Sequence, residues 1–373
     1  MKIQPINSIE CVLLHNRYMP MTDHRLVEMI ESEGRSAGVR GEFFTRTSSV
    51  GTESYCIGDF QVAISQVDAA LPKSGFGGCL PQPITILMMP DAEKRIDSHI
   101  AHTFISIKRL PSGSNATERF DAEDVIDTEF QSSEESLLAM KLCYLIADAL
   151  HRNNPAIAIH WLPSDHLVSP QLFESAASGP SLTPFFVRPY LYSSSGSIGE
   201  GQPVGMVANG SQYLLEKPVI FEEAPVDYQW MINRVTQFID ECISKNRVPE
   251  NGANFYVAND EVIEVIHKDP DPANPLGSYT LIARNVPEFG IKGGLHSVLT
   301  SPVQTETAPS KDDDKLDEND PIDLAILNAL RAREEAEKAE AATKLPEVKD
   351  RRMAPRKTHE LASFGRRAAF GKR

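Results

Sequence analysis

Apolar and polar positions alternate in short runs along most of the first 285 residues, and a few longer stretches repeat at helical spacing. Alternation marks half-buried strands, and recurrence at i, i+3, i+4 and i+7 marks amphipathic helices. Strands are expected at 11–15, 42–47, 55–66, 84–88, 103–110 and 156–161, and in the second half at 185–192, 204–208, 212–221, 255–266 and 278–284. In the third of these, Phe60, Val62 and Ile64 alternate with polar neighbours. Pro189 lacks a donor and places its strand at a sheet edge.

Helices are expected at 23–33, 91–101, 134–151 and 227–246, with a shorter one opening at Ser169-Pro170 and stopping at Gly179. Thr22 stands where the first can be capped and Gly34 where it can end. Ser132 and Glu135 form a capping-box pattern ahead of the third. In the last long helix Met231, Val235, Phe238, Ile239 and Cys242 fall on one face. Residues 111–131 read as a surface loop, and Asn209-Gly210 as a turn. Strands arrive in runs rather than in strict alternation with helices. The expected fold class is therefore α+β, with mixed, mainly antiparallel sheets and helices packed on one side. Residues 1–180 form its first half and 181–300 its second.

Beyond residue 300 the pattern changes. Residues 301–320 carry Pro, Ser, Thr and a run of acids that includes Asp312, Asp313 and Asp314, which is linker chemistry. Residues 321–344 are expected to be a charged helix, with a short stripe of Ile322, Ile326, Leu327 and Leu330. Residues 345–373 are expected to be a disordered basic tail. The chain carries a net charge of −15, yet residues 349–373 hold nine Lys or Arg against Asp350 and Glu360. That end repeats Phe-Gly-basic-basic, as Phe364, Arg366 and Arg367 and again as Phe370, Lys372 and Arg373. An aromatic anchor beside paired cations suits recognition of a protein partner. Sequence-independent, salt-sensitive nucleic-acid binding through the same cations is the rival reading.

Five scattered cysteines in no metal-type spacing fit reduced thiols in a cytoplasmic protein. No apolar run reaches the ~18 residues of a membrane-crossing helix, so no membrane is expected. No complete catalytic signature is present. His99 and His102, three apart near a helix end beside Asp97, could put two imidazoles on one face, but no HExxH pattern accompanies them. His160, Trp161, Asp165 and His166 make the densest polar and aromatic cluster. Ser164 there suggests a nucleophile, without the GxSxG elbow that would support it. For both histidine sets packing is the stronger expectation. Gly75, Gly77 and Gly78, and Gly196, Gly199 and Gly201, read as turns, because neither run leads into Gly-Lys-Ser/Thr. Asp260 and Glu261 are neighbours on a strand and point to opposite faces, so they make no catalytic pair. No cofactor and no metal are expected.

The order of elements resembles a bacterial family known as domain of unknown function 4261, over roughly residues 8–285. The likeness rests on the opening strand and helix at 10–33, and on Asp97-Ser-His-Ile-Ala-His102 followed by a strand. It continues through helix 134–151 leading to 156–161 and 169–174, and Gly205-Met206 followed by Glu216. Where a Gly-rich turn is expected after the last long helix, the chain reads Glu250-Asn-Gly-Ala-Asn254. The resemblance implies an α+β body, no established activity, and a setting near secretion and toxin–immunity loci. The resulting expectation is a non-enzymatic interaction protein, an accessory or immunity component of such a system. A hydrolase built on one of the histidine sets is the alternative.

Overall fold

The computed structural model describes residues 1–286 apart from 42, 48–51, 112–127, 180, 195–202, 256–260 and 273. The acidic linker, the charged helix and the basic tail lie outside the described residues. So do Phe364, Arg366, Arg367, Phe370, Lys372 and Arg373.

Two sheets carry the fold. The first is built from β1 (Ser8–His15), β2 (Phe43–Thr47), β3 (Thr52–Ile57), β4 (Phe60–Val67), β5 (Ala101–Arg109), β6 (Ala158–Trp161) and β7 (His166–Val168). Their order is β2-β3-β4-β5-β1-β6-β7, and every neighbouring pair is antiparallel. The second contains β8 (Arg188–Tyr192), β9 (Val204–Asn209), β10 (Val219–Ala224), β11 (Ala253–Phe255), β12 (Val262–Lys268) and β13 (Ser278–Asn285). Its order is β11-β12-β13-β10-β9-β8, with β10 and β13 the one parallel pair. The α+β class with mainly antiparallel sheets holds, and β8, with Pro189, is an edge strand as its missing donor requires.

β1 shows how the first sheet divides its surroundings. Ile9, Cys11 and Leu13 enter the main core, which continues through the second sheet. Val12 and Leu14 point to the opposite face, as pleating demands, into a smaller cluster. The long helices α1 (Asp23–Ala37) and α4 (Ser133–Asn153) cover the main-core face. The opposite face is covered in part by a 3-10 turn at Lys73–Phe76, by the segment holding Cys79, and by the short helix α3 (Ala92–Ser98). The Ser132 hydroxyl caps α4 by accepting from the Glu135 N–H at 3.2 Å. Glu135 reaches back one residue beyond the cap, to the Gln131 N–H.

Several boundaries differ from the pattern. Residues 84–88 form helix α2 (Pro83–Met88), not a strand, because Pro83 is well placed in a first helical turn and a short apolar run has no decisive period. The run 55–66 is a hairpin, β3 and β4, turning at Gly58 with φ 57°. Helix α1 does not stop at Gly34 but at Gly38 (φ 92°). Gly34 instead lets the helix approach Ile57. Helix α5 (Pro170–Ser178) forms as expected, with Ser169 capping Leu172. Phe185 and Phe186 belong to a short helix, α6 (Thr183–Phe186), and residues 212–215 to another, α7 (Gln212–Leu215). In both, aromatic and apolar residues expected to line strands are used to plug the core between the sheets. The last long helix, α8 (Tyr228–Lys245), buries the predicted face of Met231, Val235, Phe238, Ile239 and Cys242.

Candidate functional site

The smaller cluster on the outer face of the first sheet ends in a group of polar side chains. Within β6, Ile159 and Trp161 point to the main core. Alternation therefore sends His160 the other way, beside Val12 across the ladder and against the Phe76 ring, at 5.3 Å between centroids. After β6 a 3-10 turn, Leu162–Ser164, reverses the chain, and Asp165 takes a left-handed conformation with φ 51° and ψ 45°. Asp is among the residues that tolerate this region best. The conformation brings its carboxylate back to His160, whose Nε2 lies 2.8 Å from Asp165 Oδ1.

Cys79 supplies the third group. It follows the glycine run, and its thiol reaches the Phe76 carbonyl at 3.4 Å. Donor atoms of Cys79, His160 and Asp165 all lie within 4.8 Å of one another. Gly78 permits that approach, since a Cβ there would stand 2.5 Å from Asp165 Oδ2. The close contact, rather than flexibility, is what the glycine run provides at this position. Cys79 and His160 are buried, while the Asp165 side chain is 37% exposed and opens the group to solvent.

Electrostatics distinguish the three. Burial pushes the Cys79 thiol up to about 12, and the nearby Asp165 charge adds to the effect. Burial would also raise Asp165. The hydrogen bond and charge of His160, then Arg188, outweigh it and hold the carboxyl below its usual range. Arg188, buried at the start of β8, donates from Nε to the Ser164 carbonyl at 2.9 Å and stands 3.8 Å from Asp165 Oδ2. Its Nη1 has no hydrogen-bond partner.

The other sequence candidates are dispersed. His99 is the residue that ends α3, not a member of its face. Its Nε2 accepts from the Leu71 N–H at 2.7 Å and its Nδ1 pairs with the Ile96 carbonyl, so both nitrogens are committed. His102 lies in β5 with Nδ1 on the Ala69 carbonyl at 2.7 Å. The two do not form a pair. His166 points away from His160, since they occupy alternate faces of paired strands one step out of register, and its Nδ1 bonds the Phe185 carbonyl at 3.2 Å. Ser164 Oγ is buried without a partner, so no Ser164–His166 couple exists. Trp161 packs in the core on Phe185 and Phe186, the structural role expected for it. Cys79 was missed because no spacing in the sequence connects it with His160 and Asp165, which lie far along the chain. A glycine immediately before a buried thiol was the one local signal.

No protein-family model, no curated protein and no solved structure matches the chain.

Proposed function

We propose that this is a binding protein which takes one divalent transition-metal ion, Zn²⁺ in the first instance, on Cys79, His160 and Asp165. The observation that carries the reading is the convergence of a sulfur, an imidazole nitrogen and a carboxylate oxygen within 4.8 Å. These are the three ligand types zinc prefers. Tetrahedral bonds of about 2.0–2.3 Å would hold the donor atoms farther apart than the 2.8 Å between His160 Nε2 and Asp165 Oδ1, and closer than the 4.8 Å that bounds the group. Side-chain adjustment supplies that movement, and solvent beside Asp165 supplies a fourth ligand. Bound there, the ion would tie the Cys79 segment to the β6–β7 corner. Thiol catalysis is the poorer reading: the nucleophile would be the thiolate, which burial disfavours, and Nε2 of the neighbouring His160 is already on Asp165.

Calorimetric titration of the full chain with ZnCl₂ tests the proposal. One equivalent should bind, with release of the Cys79 proton visible as a buffer-dependent enthalpy. Cys79→Ser and Asp165→Asn should each weaken binding at least about tenfold. Zinc uptake that ignores both substitutions, or no uptake, would sink it.

A second reading concerns the basic end. Its charge, opposite in sign to the rest of the chain, and its two Phe-Gly-basic-basic units favour a protein partner. Together the two readings make a non-enzymatic, cytoplasmic interaction protein of the kind that accompanies bacterial secretion or toxin systems. The five unpaired cysteines are in keeping with that reducing location. Among the described residues no helix is long and apolar enough to cross a membrane.

A further inference from the structure

A separate cleft of about 480 Å³ lies between α2, α5 and α8, over the β8–β9 edge of the second sheet. Its size falls in the range that holds small organic ligands. Most of its wall is apolar, with Ile84, Met88, Leu172, Val187, Met206 and Ile232 contributing. Two polar groups in that wall stand out because each keeps an acceptor in reserve.

The first is His166, 3% exposed and lining the cleft. The Phe185 carbonyl can only accept, so Nδ1 carries the ring proton and Nε2 is left with its lone pair. No residue among those described donates to Nε2. The atom is not shut away from solvent, so a donor held in the cleft can reach it. The second is Asp240 on α8. Its Oδ1 accepts from the Ser181 hydroxyl at 2.7 Å and the Thr183 hydroxyl at 2.5 Å, which fix the carboxylate in place. Its Oδ2 has no partner among the described residues. The cation in the same wall, Arg234, is committed to Glu261 and Gln237 and does not neutralise it.

An apolar cavity that offers two fixed acceptors and a negative charge selects a ligand by the donors it carries. We propose that this cleft binds a small organic amine: an apolar body in the cavity, an ammonium group on Asp240 Oδ2, and, in ligands long enough, a second N–H or O–H donor to His166 Nε2. The inference does not depend on metal binding at Cys79, which is on the other side of the β6–β7 pair.

Phenethylamine, 2-phenylethanol and phenylacetate have similar apolar bodies and differ in the charge of the end group. They serve as probes, with affinities read by ¹⁵N-resolved NMR titration of the full chain. The amine should bind about tenfold more tightly than the alcohol, as a charge-assisted hydrogen bond predicts, and the carboxylate should bind weakest. Asp240→Asn keeps an acceptor for Ser181 and Thr183 but replaces the free oxygen, and should reduce the amine to the alcohol's affinity. His166→Phe keeps the ring shape, and in a folded variant should weaken a longer probe, tyramine, more than phenethylamine. Because His166 is buried, Asp240→Asn is the deciding variant if the other fails to fold. Equal affinities for the three probes, an unchanged amine preference in Asp240→Asn, or no chemical-shift changes around the cleft at millimolar amine would each overturn the proposal.

Discussion

His15 illustrates how a single buried side chain sets a property of the whole protein. It is 2% exposed at the end of β1, and its Nε2 pairs with the Thr103 hydroxyl at 3.1 Å. Burial, reinforced by the neighbouring His151 and His102, lowers its pKa from 6.5 to about 4, although the Pro155 backbone offsets part of the effect. The unfolded chain therefore binds a proton at this site that the folded chain refuses. Its contribution to stability is complete above pH 6.5 and is lost as pH falls from 6.5 towards 4. The shift sets an upper limit of about 3 kcal/mol on the loss. His166, lowered to about 4 by burial, acts in the same direction. Urea midpoints at pH 7.5, 5.5 and 4.5 should fall steeply for the natural protein and less steeply for His15→Gln. Identical pH profiles would remove His15 from the account.

At the scale of elements, α8 is held to the second sheet by more than its apolar face. Glu261, fully buried just before β12, takes two hydrogen bonds from the Arg234 guanidinium, at 2.5 and 2.6 Å, and one from Trp230 Nε1 at 3.3 Å. The same guanidinium lies over the Trp230 ring. Glu261, which sequence reasoning set aside as a catalytic residue, is thus a structural anchor. Removing one partner leaves an unpaired charge, and this costs more than the pair contributes. Arg234→Met should therefore destabilise the protein by about 3 kcal/mol, while Arg234→Met with Glu261→Leu should regain most of that loss. Chemical denaturation of the two variants distinguishes the cases: a double variant no more stable than the single one would mean that packing of the arginine stem, not its charge, is what matters.

Across the whole molecule, charge is segregated along the chain. The last 25 residues carry nine basic side chains within a protein of net charge −15. Long-range attraction of this kind steers encounter and is screened by salt. A version ending at residue 345 should lose most of the partner recovered by the full chain in a pull-down, and the recovery should fall between 50 and 300 mM salt. Equal recovery by both versions would end the tail's part in the second reading. Gel shifts with nucleic acid that are insensitive to salt would contradict an electrostatic origin for that rival activity.

The elements legible beforehand were those whose pattern is local. The capped helix α4, the amphipathic α8 and the alternation of β4 each show in a dozen or so residues, because one face is buried and the other is not. The same property gave the α+β class and the edge position of β8. Residues 84–88 and the opening of 185–192 read as strand but are helical at 83–88 and 183–186, since three to five apolar residues do not determine a period. For the sites, the sequence placed His160, Asp165 and His166 in one dense segment, but could not say which belonged together. That was decided by tertiary structure. Strand alternation turns His160 to one face and His166 to the other, the left-handed Asp165 folds its carboxylate onto the first, and the approach of Gly78 delivers Cys79 to it. Composition and periodicity determine what a residue is and which face it occupies; which distant residues share a face depends on the order of strands in the sheet, and no local pattern records that.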